Sequence, residues 1–471
     1  MAITADARAV IGEATLGELE GTLRGQLVRP SDPDYDQARA VWNAAHDRRP
    51  ALVIRCAGTA DVVRAVEFAR SEGLQMAVRG GAHSIAGFST SDGGVVIDTS
   101  PMKGIRVDPI SRRVVAQPGL TWSEFDHETQ AFGLAVTGGL VSSTGIAGFT
   151  LGGGIGWLLR EYGLTCDNLL SADVVTADGQ LVTASEHEQP DLFWALRGGG
   201  GNFGVVTSME FRLHPVGPVV FAGPVFYPGA AAVEVLRGWR DLTATMPDEF
   251  TTLANILVAP PVPFLPEAVH GQPVVGIIGV YSGSVEDGTK AAQPLRTLAE
   301  PLADLMGPMP YTDMQSRLDP LWTAGAQNYF TGALLDRLTD ETLDTLLAHH
   351  AAGHAPVREL HLHHCGGAMA RVPTGATAFA HRDTAFVLNI IARSPDPAGF
   401  DAHADWARAT HRAMDPWSTG GYVNFTSEPG ADKVQASYPP DTYARLVAVK
   451  DRYDPTNQFH LNQNIRPSDG G

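Results

Sequence analysis

RGGAHSIAG (residues 79–87), GGLVSSTGIAGFTLGGGIGWLLREYG (138–163) and RGGGGNFGVVT (197–207) are three glycine-rich runs that decide the fold. Glycine lets consecutive backbone N–H groups converge on phosphate oxygens and lets the backbone approach a flat ring closely. One such run is more often a tight turn at a domain corner. Three long runs in the first half of the chain indicate instead a binding site for a ligand that carries phosphate and a flat ring.

The first run lacks the context of a Rossmann dinucleotide site. That fingerprint requires a strand, a glycine-rich turn and then a helix whose N-terminus binds the pyrophosphate. LQMAV (74–78) predicts the strand, but the run continues into STSDGGVVIDT (89–99), which predicts another turn and another strand. The sequence therefore argues against a nicotinamide dinucleotide site of this type.

The chain before residue 216 alternates predicted helices and strands. Thr59 is predicted to cap a helix that ends at Gly73. Thr121 and Glu124 form a capping-box pair that opens another helix. This part of the chain is therefore expected to mix both element types.

After residue 216 the chain changes to proline-rich connections, amphipathic helices and longer strands. ELHLHH (359–364) and TAFVLNIIA (384–392) are predicted strands, and a helix is predicted from about residue 441 to 453. A second domain within this part of the chain explains the change.

Length, charge and cysteine content limit the possible function classes. A chain of 471 residues exceeds the ~250–300 beyond which one core usually splits, so two domains are expected. The net charge of −18 opposes binding to nucleic acid or anionic lipid. No run approaches the ~18 apolar residues of a membrane span, and the N-terminus lacks the basic start of a secretory signal. Cys56, Cys166 and Cys365 suggest neither a disulfide framework nor a zinc site, so we expect a cytoplasmic protein.

The glycine-rich runs resemble signatures of the berberine-bridge-enzyme-like FAD-linked oxidases of the vanillyl-alcohol-oxidase superfamily. RGGAHS resembles the R-x-G-G-H motif of that family, and the segments at 151–179 and 191–207 resemble its next two signatures. RYDPTNQFHLNQNI (452–465) is similar to the C-terminal signature. The resemblance is strong over about 25–215 and 420–467 and loose between them.

The resemblance implies an α+β protein with two domains. A two-lobed FAD-binding domain of the PCMH type comprises residues 1–215 and is completed by the returning segment 420–471. Residues 216–419 form a substrate domain in which an antiparallel sheet is backed by helices.

The resemblance also implies one covalent bond, from His83 to the 8-methyl group of FAD. The family usually has glycine before this histidine, where the chain has Ala82. Some members carry a second link from a cysteine at the position of Val141, and Cys166 follows the GGG run instead, so a single link is expected. The other implied cofactor-binding positions are Arg79, Gly80, Gly81 and Ser84 at the pyrophosphate, Thr144, Gly145, Gly148, Gly152, Gly153, Gly154, Gly156 and Asn168 near the cofactor, Gly204 and Val206 on the adenine side, and Asn424, Asn462 and Asn464 near the isoalloxazine.

The implied reaction is hydride transfer from a C–H group that bears a hydroxyl or amine, assisted by a base. Dioxygen would then reoxidise the flavin and yield hydrogen peroxide. Tyr422 matches a Tyr-x-Asn motif near the flavin and is the first candidate base. Family members often have a second tyrosine where this chain has Phe425, which argues against a mechanism that needs both.

A predicted strand offers two other candidates. The two-residue period places Glu359, His361 and His363 on one face, which is either solvated or turned toward the substrate. In the second case His361 or His363 assists the tyrosine or acts as the base. Asn389 is the one amide in an apolar run and is expected to face the substrate cavity. No third ligand accompanies the two histidines, so no metal is predicted.

The main prediction is an oxidase of an alcohol, sugar, amine or secondary metabolite, with a small-molecule substrate and O2 as partners. Two alternatives remain open. One is a flavin dehydrogenase that uses another electron acceptor, and the other is a flavin-containing binding protein without catalysis.

Overall fold

The computed structural model describes residues 11–468, which fold into three main sheets and a two-stranded ribbon. The strands are β1 Gln26–Val28, β2 Leu52–Arg55, β3 Met76–Arg79, β4 Val95–Asp98, β5 Ile105–Asp108, β6 Arg113–Ala116, β7 Leu134–Ala135, β8 Leu169–Val175, β9 Leu181–Ser185, β10 Val205–Arg212, β11 His214–Pro215, β12 Val219–Pro228, β13 Phe250–Val258, β14 Pro273–Tyr281, β15 Ala303–Asp304, β16 Gly307–Pro310, β17 Gln327–Leu335, β18 Val357–His364, β19 Phe386–Ser394 and β20 Ser418–Gly420. The helices are α1 Glu13–Thr22, α2 Tyr35–Arg39, α3 Thr59–Ser71, α4 Trp122–Gln130, α5 Ile146–Leu151, α6 Leu159–Tyr162, α7 Pro190–Leu196, α8 Ala232–Thr243, α9 Val285–Ala292, α10 Tyr311–Gln315, α11 Asp340–Ala352, α12 Ala368–Arg371, α13 Phe400–Ala413, α14 Ala431–Ser437 and α15 Pro440–Tyr453.

The first lobe is a four-stranded sheet in the order β1-β2-β4-β3, with β4 parallel to both of its neighbours. Helix α3 crosses between the parallel strands and ends before Gly73, which has a φ of +64° as predicted for a helix stop. The predicted cap at Thr59 is wrong. Gly58 is the N-cap residue, and the Asp61 carboxylate accepts the Ala57 N–H over 2.8 Å instead.

The second lobe is a five-stranded antiparallel sheet in the order β5-β6-β10-β8-β9. The predicted capping box at the start of α4 is confirmed, because Thr121 and Glu124 each bond the backbone of the other. Helix α4 then buries Trp122 and Phe125 in the core of this lobe. The two lobes and the antiparallel sheet described next confirm the predicted α+β class.

The third sheet has nine antiparallel strands, and its main path runs β15-β12-β14-β13-β18-β19-β17-β20, with β16 beside β12. Helices α8, α11 and α13 cover one face, where Leu360 and Leu362 of β18 join their core. His361 and His363 alternate with them and lie on the other face, at exposures of 6% and 4%. The solvated-face alternative for this strand is therefore wrong, since the opposite face is also buried.

The C-terminal segment returns to the first two lobes. Helix α15 packs Leu446 and Val449 into the core of the second lobe. The buried Lys450 ammonium pairs with Asp454 at 2.7 Å and donates to the Asn202 carbonyl at 2.8 Å. This contact ties α15 to the third glycine-rich run. Within residues 11–468, no helix is both long and apolar enough to cross a membrane.

Candidate active site

A long cavity, which we call the central cavity, lies where the glycine-rich runs meet the nine-stranded sheet. One part of its wall comes from residues within 80–89, 139–155, 199–206 and 459–463. The other part comes from residues within 318–330, 361–391 and 423–426. The cavity therefore joins both lobes, the sheet and the C-terminal segment.

The first two glycine-rich runs cross in direct backbone contact. A Cβ atom on Gly81 would lie 2.4 Å from the Gly145 nitrogen, and one on Gly145 would lie 2.5 Å from the Gly81 nitrogen. No side chain fits at either position, so this crossing requires glycine in both runs. The crossing brings the His83 loop against the segment that contains Val141 and Thr144.

His83 is held on the cavity wall by two neighbours. Its ring stacks on Trp42 with centroids 4.9 Å apart and planes 20° apart. Its Nε2 lies 3.1 Å from the Ser143 hydroxyl, and Nδ1 has no hydrogen-bond partner in the described part of the chain. Burial lowers the pKa of His83 to about 4, so the ring is neutral at pH 7. A neutral imidazole with a free nitrogen lone pair can act as a nucleophile.

The residue before His83 is in an unusual conformation. Ala82 has a φ of +58°, in the left-handed region that costs an L-residue roughly 1–2 kcal/mol. Glycine would adopt this conformation without that cost. The usual family glycine therefore has a physical reason, and the chain retains the same turn with alanine.

Polar atoms without partners occur in both parts of the cavity wall. Among residues 11–468, no hydrogen-bond partner exists for Asn462 Oδ1 or for the two amide atoms of Gln463 in the C-terminal segment. The same holds for His363 Nε2 and Asn389 Oδ1 in the nine-stranded sheet. A buried polar atom left unpaired costs about 1–3 kcal/mol. These residues fit FAD, which carries hydrogen-bonding groups along its whole extended length.

A carboxylate–imidazole pair lies on the sheet side of the cavity. His361 Nε2 is 2.6 Å from Glu359 Oε2, and the Asn255 amide donates to the same oxygen over 2.7 Å. Burial alone would raise the pKa of Glu359, but the hydrogen bonds from His361 and Asn255 hold it below its ordinary value. Glu359 is therefore ionised and takes the Nε2–H of His361, which leaves Nδ1 of His361 to accept a proton.

His363 lies two residues further along β18. Burial, with a smaller effect from neighbouring His361, lowers the pKa of His363 well below its ordinary value. Its ring lies 5.5 Å from that of Phe425, measured between centroids. His363 is therefore a neutral group that offers one unpaired nitrogen to a ligand.

Tyr422 lies behind the cavity wall. Its hydroxyl accepts hydrogen bonds from the Gly154 N–H and from the Asn424 amide, both at 2.9 Å. Burial raises the pKa of Tyr422 above its ordinary value. The hydroxyl of this candidate base is therefore enclosed by the backbone of the second glycine-rich run and by Asn424, and Tyr422 is not among the described residues that line the central cavity.

Most of the predicted site residues line the central cavity together. They are Gly80, Gly81, Ala82, His83, Ser84, Val141, Thr144, Gly145, Gly148, Gly204, Val206, His361, His363, Asn389, Asn424 and Asn462.

Two polar side chains with predicted cofactor contacts point elsewhere. Arg79 pairs with Asp98 at 2.8 Å, because β3 and β4 place these residues side by side. The Asn168 amide donates to the Tyr162 and Leu164 carbonyls. Both side chains were predicted to contact the cofactor, and in the structure they bind other protein groups instead.

Five further predicted positions lie behind the wall. A Cβ atom added to Gly152 would clash with Asn424, and one added to Gly153 would clash with Phe379. A Cβ atom on Gly154 would clash with Thr165, and one on Gly156 would clash with the backbone of Gly138. Asn464 likewise lies outside the lining, although its buried Oδ1 has no hydrogen-bond partner within the described residues. These glycines therefore permit close packing of the protein rather than contact with the cavity.

Several lining residues escaped prediction. Trp42 and Trp322 lie in segments without a signature, and only the fold brings them together. Gln463 had a usable signal, since it lies between Asn462 and Asn464 in the C-terminal signature. Ser143 lies outside the lining but contacts His83, and its position between Val141 and Thr144 was a usable signal for it. Cys166 is fully buried, and burial raises the pKa of its thiol. Among residues 11–468 no group of three or more His, Cys, Asp or Glu side chains is arranged to hold a metal ion.

Comparisons with known proteins agree with the motifs. A family model described as an FAD binding domain matches residues 50–185, and one described as "Berberine and berberine like" matches residues 421–466. The chain is 31% identical over 451 residues to an FAD-linked oxidoreductase of Dictyostelium discoideum, with 95% of each chain covered. It is 31% identical over 463 residues to (R)-6-hydroxynicotine oxidase of Paenarthrobacter nicotinovorans, with 95% of this chain and 97% of that protein covered.

The fold agrees as well. The crystal structure of 6-hydroxy-D-nicotine oxidase from Arthrobacter nicotinovorans superposes with a TM-score of 0.85 at 28% identity, covering 95% of this chain and 98% of that one. The chain therefore belongs to the berberine-bridge-enzyme-like family of FAD-linked oxidoreductases, an enzyme family that binds FAD.

Proposed function

We propose that the protein is an oxidase whose FAD is bonded to Nδ1 of His83, whose base is the His361–Glu359 pair, and whose electron acceptor is dioxygen. The 2.6 Å contact between His361 and Glu359 carries this proposal. His361 of this pair lines the same cavity as the neutral His83 ring, with Glu359 behind it. A nucleophile for the cofactor and a base for the substrate therefore share one cavity.

The covalent link is supported by the state of the His83 ring. Its Nε2 is engaged by Ser143, so Nδ1 is the nitrogen left to form a bond. Val141 stands where some family members have the cysteine of a second link, and Cys166 is buried outside the cavity lining. We therefore expect one point of attachment.

Bound FAD would supply the hydride acceptor. Nδ1 of His361 takes the proton from the substrate hydroxyl or amine as the C–H bond breaks. The Glu359 carboxylate then stabilises the imidazolium that forms, and it fixes the tautomer before the reaction. His363 and Asn389 orient the substrate through their unpaired nitrogen and oxygen. Trp322 and Phe425 line the cavity beside His361 and His363 and keep water away from the reacting atoms.

Hydrogen peroxide release tests the proposal. Wild-type holoenzyme should be screened in air against aromatic alcohols, cyclic amines and sugars, with each positive repeated without oxygen. We expect one substrate class to bleach the flavin anaerobically and to release one peroxide per product in air. The matched variant His361→Gln should keep its FAD and lose both signals.

Two other results would contradict the proposal in different ways. If substrate bleaches the flavin and its yellow colour returns only slowly in air, without peroxide, the protein would be a dehydrogenase with another electron acceptor. Bound compounds that never reduce the flavin would identify a binding protein.

A further inference from the structure

The wall of the central cavity beside the His361–Glu359 pair is made of rings. Trp322 and Phe330 meet edge to face with centroids 5.9 Å apart, and Trp322 meets His361 in the same way at 6.4 Å. The His361 and His363 rings lie 5.9 Å apart, and His363 contacts Phe425. These side chains form a continuous band around the base, which we call the aromatic band.

Charge is missing from this wall. Among the described residues that line the central cavity, none is Asp, Glu, Lys or Arg. The Glu359 carboxylate is covered by His361 and Asn255. The Arg393 guanidinium lies 5.4 Å over the Trp322 ring and donates to the Thr323 carbonyl over 2.9 Å, so it is already paired. A charged group on the substrate would have no counter-ion here.

Polar capacity is small as well. In this part of the wall, Nδ1 of His361, Nε2 of His363 and the Asn389 amide are open to a ligand. The Asn424 amide nitrogen and the Thr426 hydroxyl also lie here, but both already donate to protein groups. A sugar ring presents several hydroxyls, and each one buried without a partner costs about 1–3 kcal/mol. A cationic amine without a carboxylate costs more. An aromatic ring, by contrast, gains about 0.5–1.5 kcal/mol for each well-placed ring contact.

We propose that the substrate is an uncharged, flat aromatic alcohol whose ring lies against the aromatic band, with its hydroxyl at His361. This rests on the proposed function, because it concerns the same base. Oxidation breaks one C–H and one O–H bond and forms C=O. Bound FAD would accept the hydride, and Nδ1 of His361 takes the proton. Dioxygen would then accept the two electrons with the hydride's proton and the proton held by His361, and would leave as hydrogen peroxide.

A matched pair of ligands tests the proposal without turnover. 2-Naphthol and decahydro-2-naphthol share a carbon skeleton and a hydroxyl, and they differ in whether the rings are flat and aromatic. Each is mixed rapidly with oxidised holoenzyme, and the change in flavin absorbance before any flavin reduction gives Kd, because decahydro-2-naphthol carries a C–H on its hydroxyl carbon and 2-naphthol does not. We expect 2-naphthol to bind at least about tenfold more tightly, the effect of one to two ring contacts.

Variants assign the preference to the aromatic band. Phe330→Leu keeps the apolar volume and removes one ring, so the ratio of the two Kd values should fall by about threefold or more. Phe132→Leu changes an exposed phenylalanine on the second lobe and should leave the ratio unchanged. Flavin content and Tm confirm that both variants are folded.

Charged and sugar probes complete the test. We expect 2-naphthoate to bind more weakly than 2-naphthol and xylobiose not to displace 2-naphthol. Equal affinity for the two naphthols, no measurable 2-naphthol binding, tighter binding of 2-naphthoate or displacement by xylobiose would each overturn the proposal. Because binding to the oxidised enzyme needs no catalysis, failure of the peroxide screen and failure of this proposal are separate results.

Discussion

Replacing Trp42 with alanine tests how the chain holds His83 for bond formation with FAD. Two contacts would be lost: the ring stack on His83 and the indole N–H bond to the Trp322 carbonyl at 3.1 Å. The backbone N–H of residue 42 would still donate to the Ala82 carbonyl, so the loop itself stays connected. The change therefore acts mainly on the orientation of the imidazole.

The size of the effect follows from those two contacts. A ring pair is worth about 0.5–1.5 kcal/mol, and a neutral hydrogen bond is worth a similar amount. If both serve to align His83, the rate constant for attachment should fall by about 5- to 150-fold, since 1.36 kcal/mol is tenfold. Trp42→Phe keeps a ring beside His83, so its rate constant for attachment should fall much less.

The assay follows attachment directly. Apoprotein from flavin-depleted cells is mixed with FAD, and flavin fluorescence in the acid-precipitated protein is recorded over time. Gel filtration without denaturant reports total bound FAD. The control is Trp406→Ala, which removes a partly buried tryptophan from α13 outside the cavity lining. Attachment at the wild-type rate in Trp42→Ala, with normal FAD binding, would refute the positioning role.

Three further predictions concern attachment and stability. His83→Ala should release all FAD on acid precipitation, whereas Cys166→Ser should retain it, and peptide mapping that finds flavin on the Cys166 peptide would contradict this. In the wild type, the buried Arg382 guanidinium binds each oxygen of the Asp167 carboxylate at 2.8 Å. Asp167→Asn removes that charge partner, so it should lower the free energy of unfolding by about 3–5 kcal/mol and lower Tm. Asp191→Asn, which breaks the exposed pair with Arg445, is the control and should cost about 0–1 kcal/mol, so equal losses would count against the argument. Burial raises the pKa of Asp126 to about 7, so the folded state keeps a proton that the unfolded chain loses near pH 4, and stability falls as pH rises through this window. In calorimetry, the Tm of Asp126→Asn relative to wild type should therefore increase between pH 5 and pH 8, and a constant difference would be inconsistent with a protonated Asp126.

Short sequence patterns predicted those structural features that depend only on residues close together in the chain. The two-residue period of ELHLHH correctly put His361 and His363 on one face of β18, and Asn389 was recognised because a lone amide in an apolar strand needs a partner. The glycine-rich runs predicted close backbone approach around the His83 loop, and the structure shows such an approach where Gly81 and Gly145 cross without room for a Cβ atom.

Contacts between distant segments were not predictable in the same way. Tyr422 matched its motif, yet its hydroxyl is bound by Gly154, which lies 268 residues earlier in the chain. Arg79 belongs to a glycine-rich motif, but strand register sets it beside Asp98. Asn255, which helps to hold Glu359 ionised, is 104 residues away from it. Such partners are fixed by sheet order and docking, which no short motif encodes.

The rate constant for flavin reduction without oxygen tests most directly whether the His361–Glu359 pair is the base. Stopped flow should use the compound that releases most peroxide in the screen and compare His361→Gln with Tyr422→Phe. We expect His361→Gln to slow reduction by about 10²–10⁴-fold, the usual loss for a general base, with FAD still bound. Tyr422→Phe should stay close to wild type, because its hydroxyl faces Gly154 and Asn424. The assignment of the base would be contradicted if His361→Gln reduced the flavin at the wild-type rate and the large loss of rate appeared in Tyr422→Phe instead.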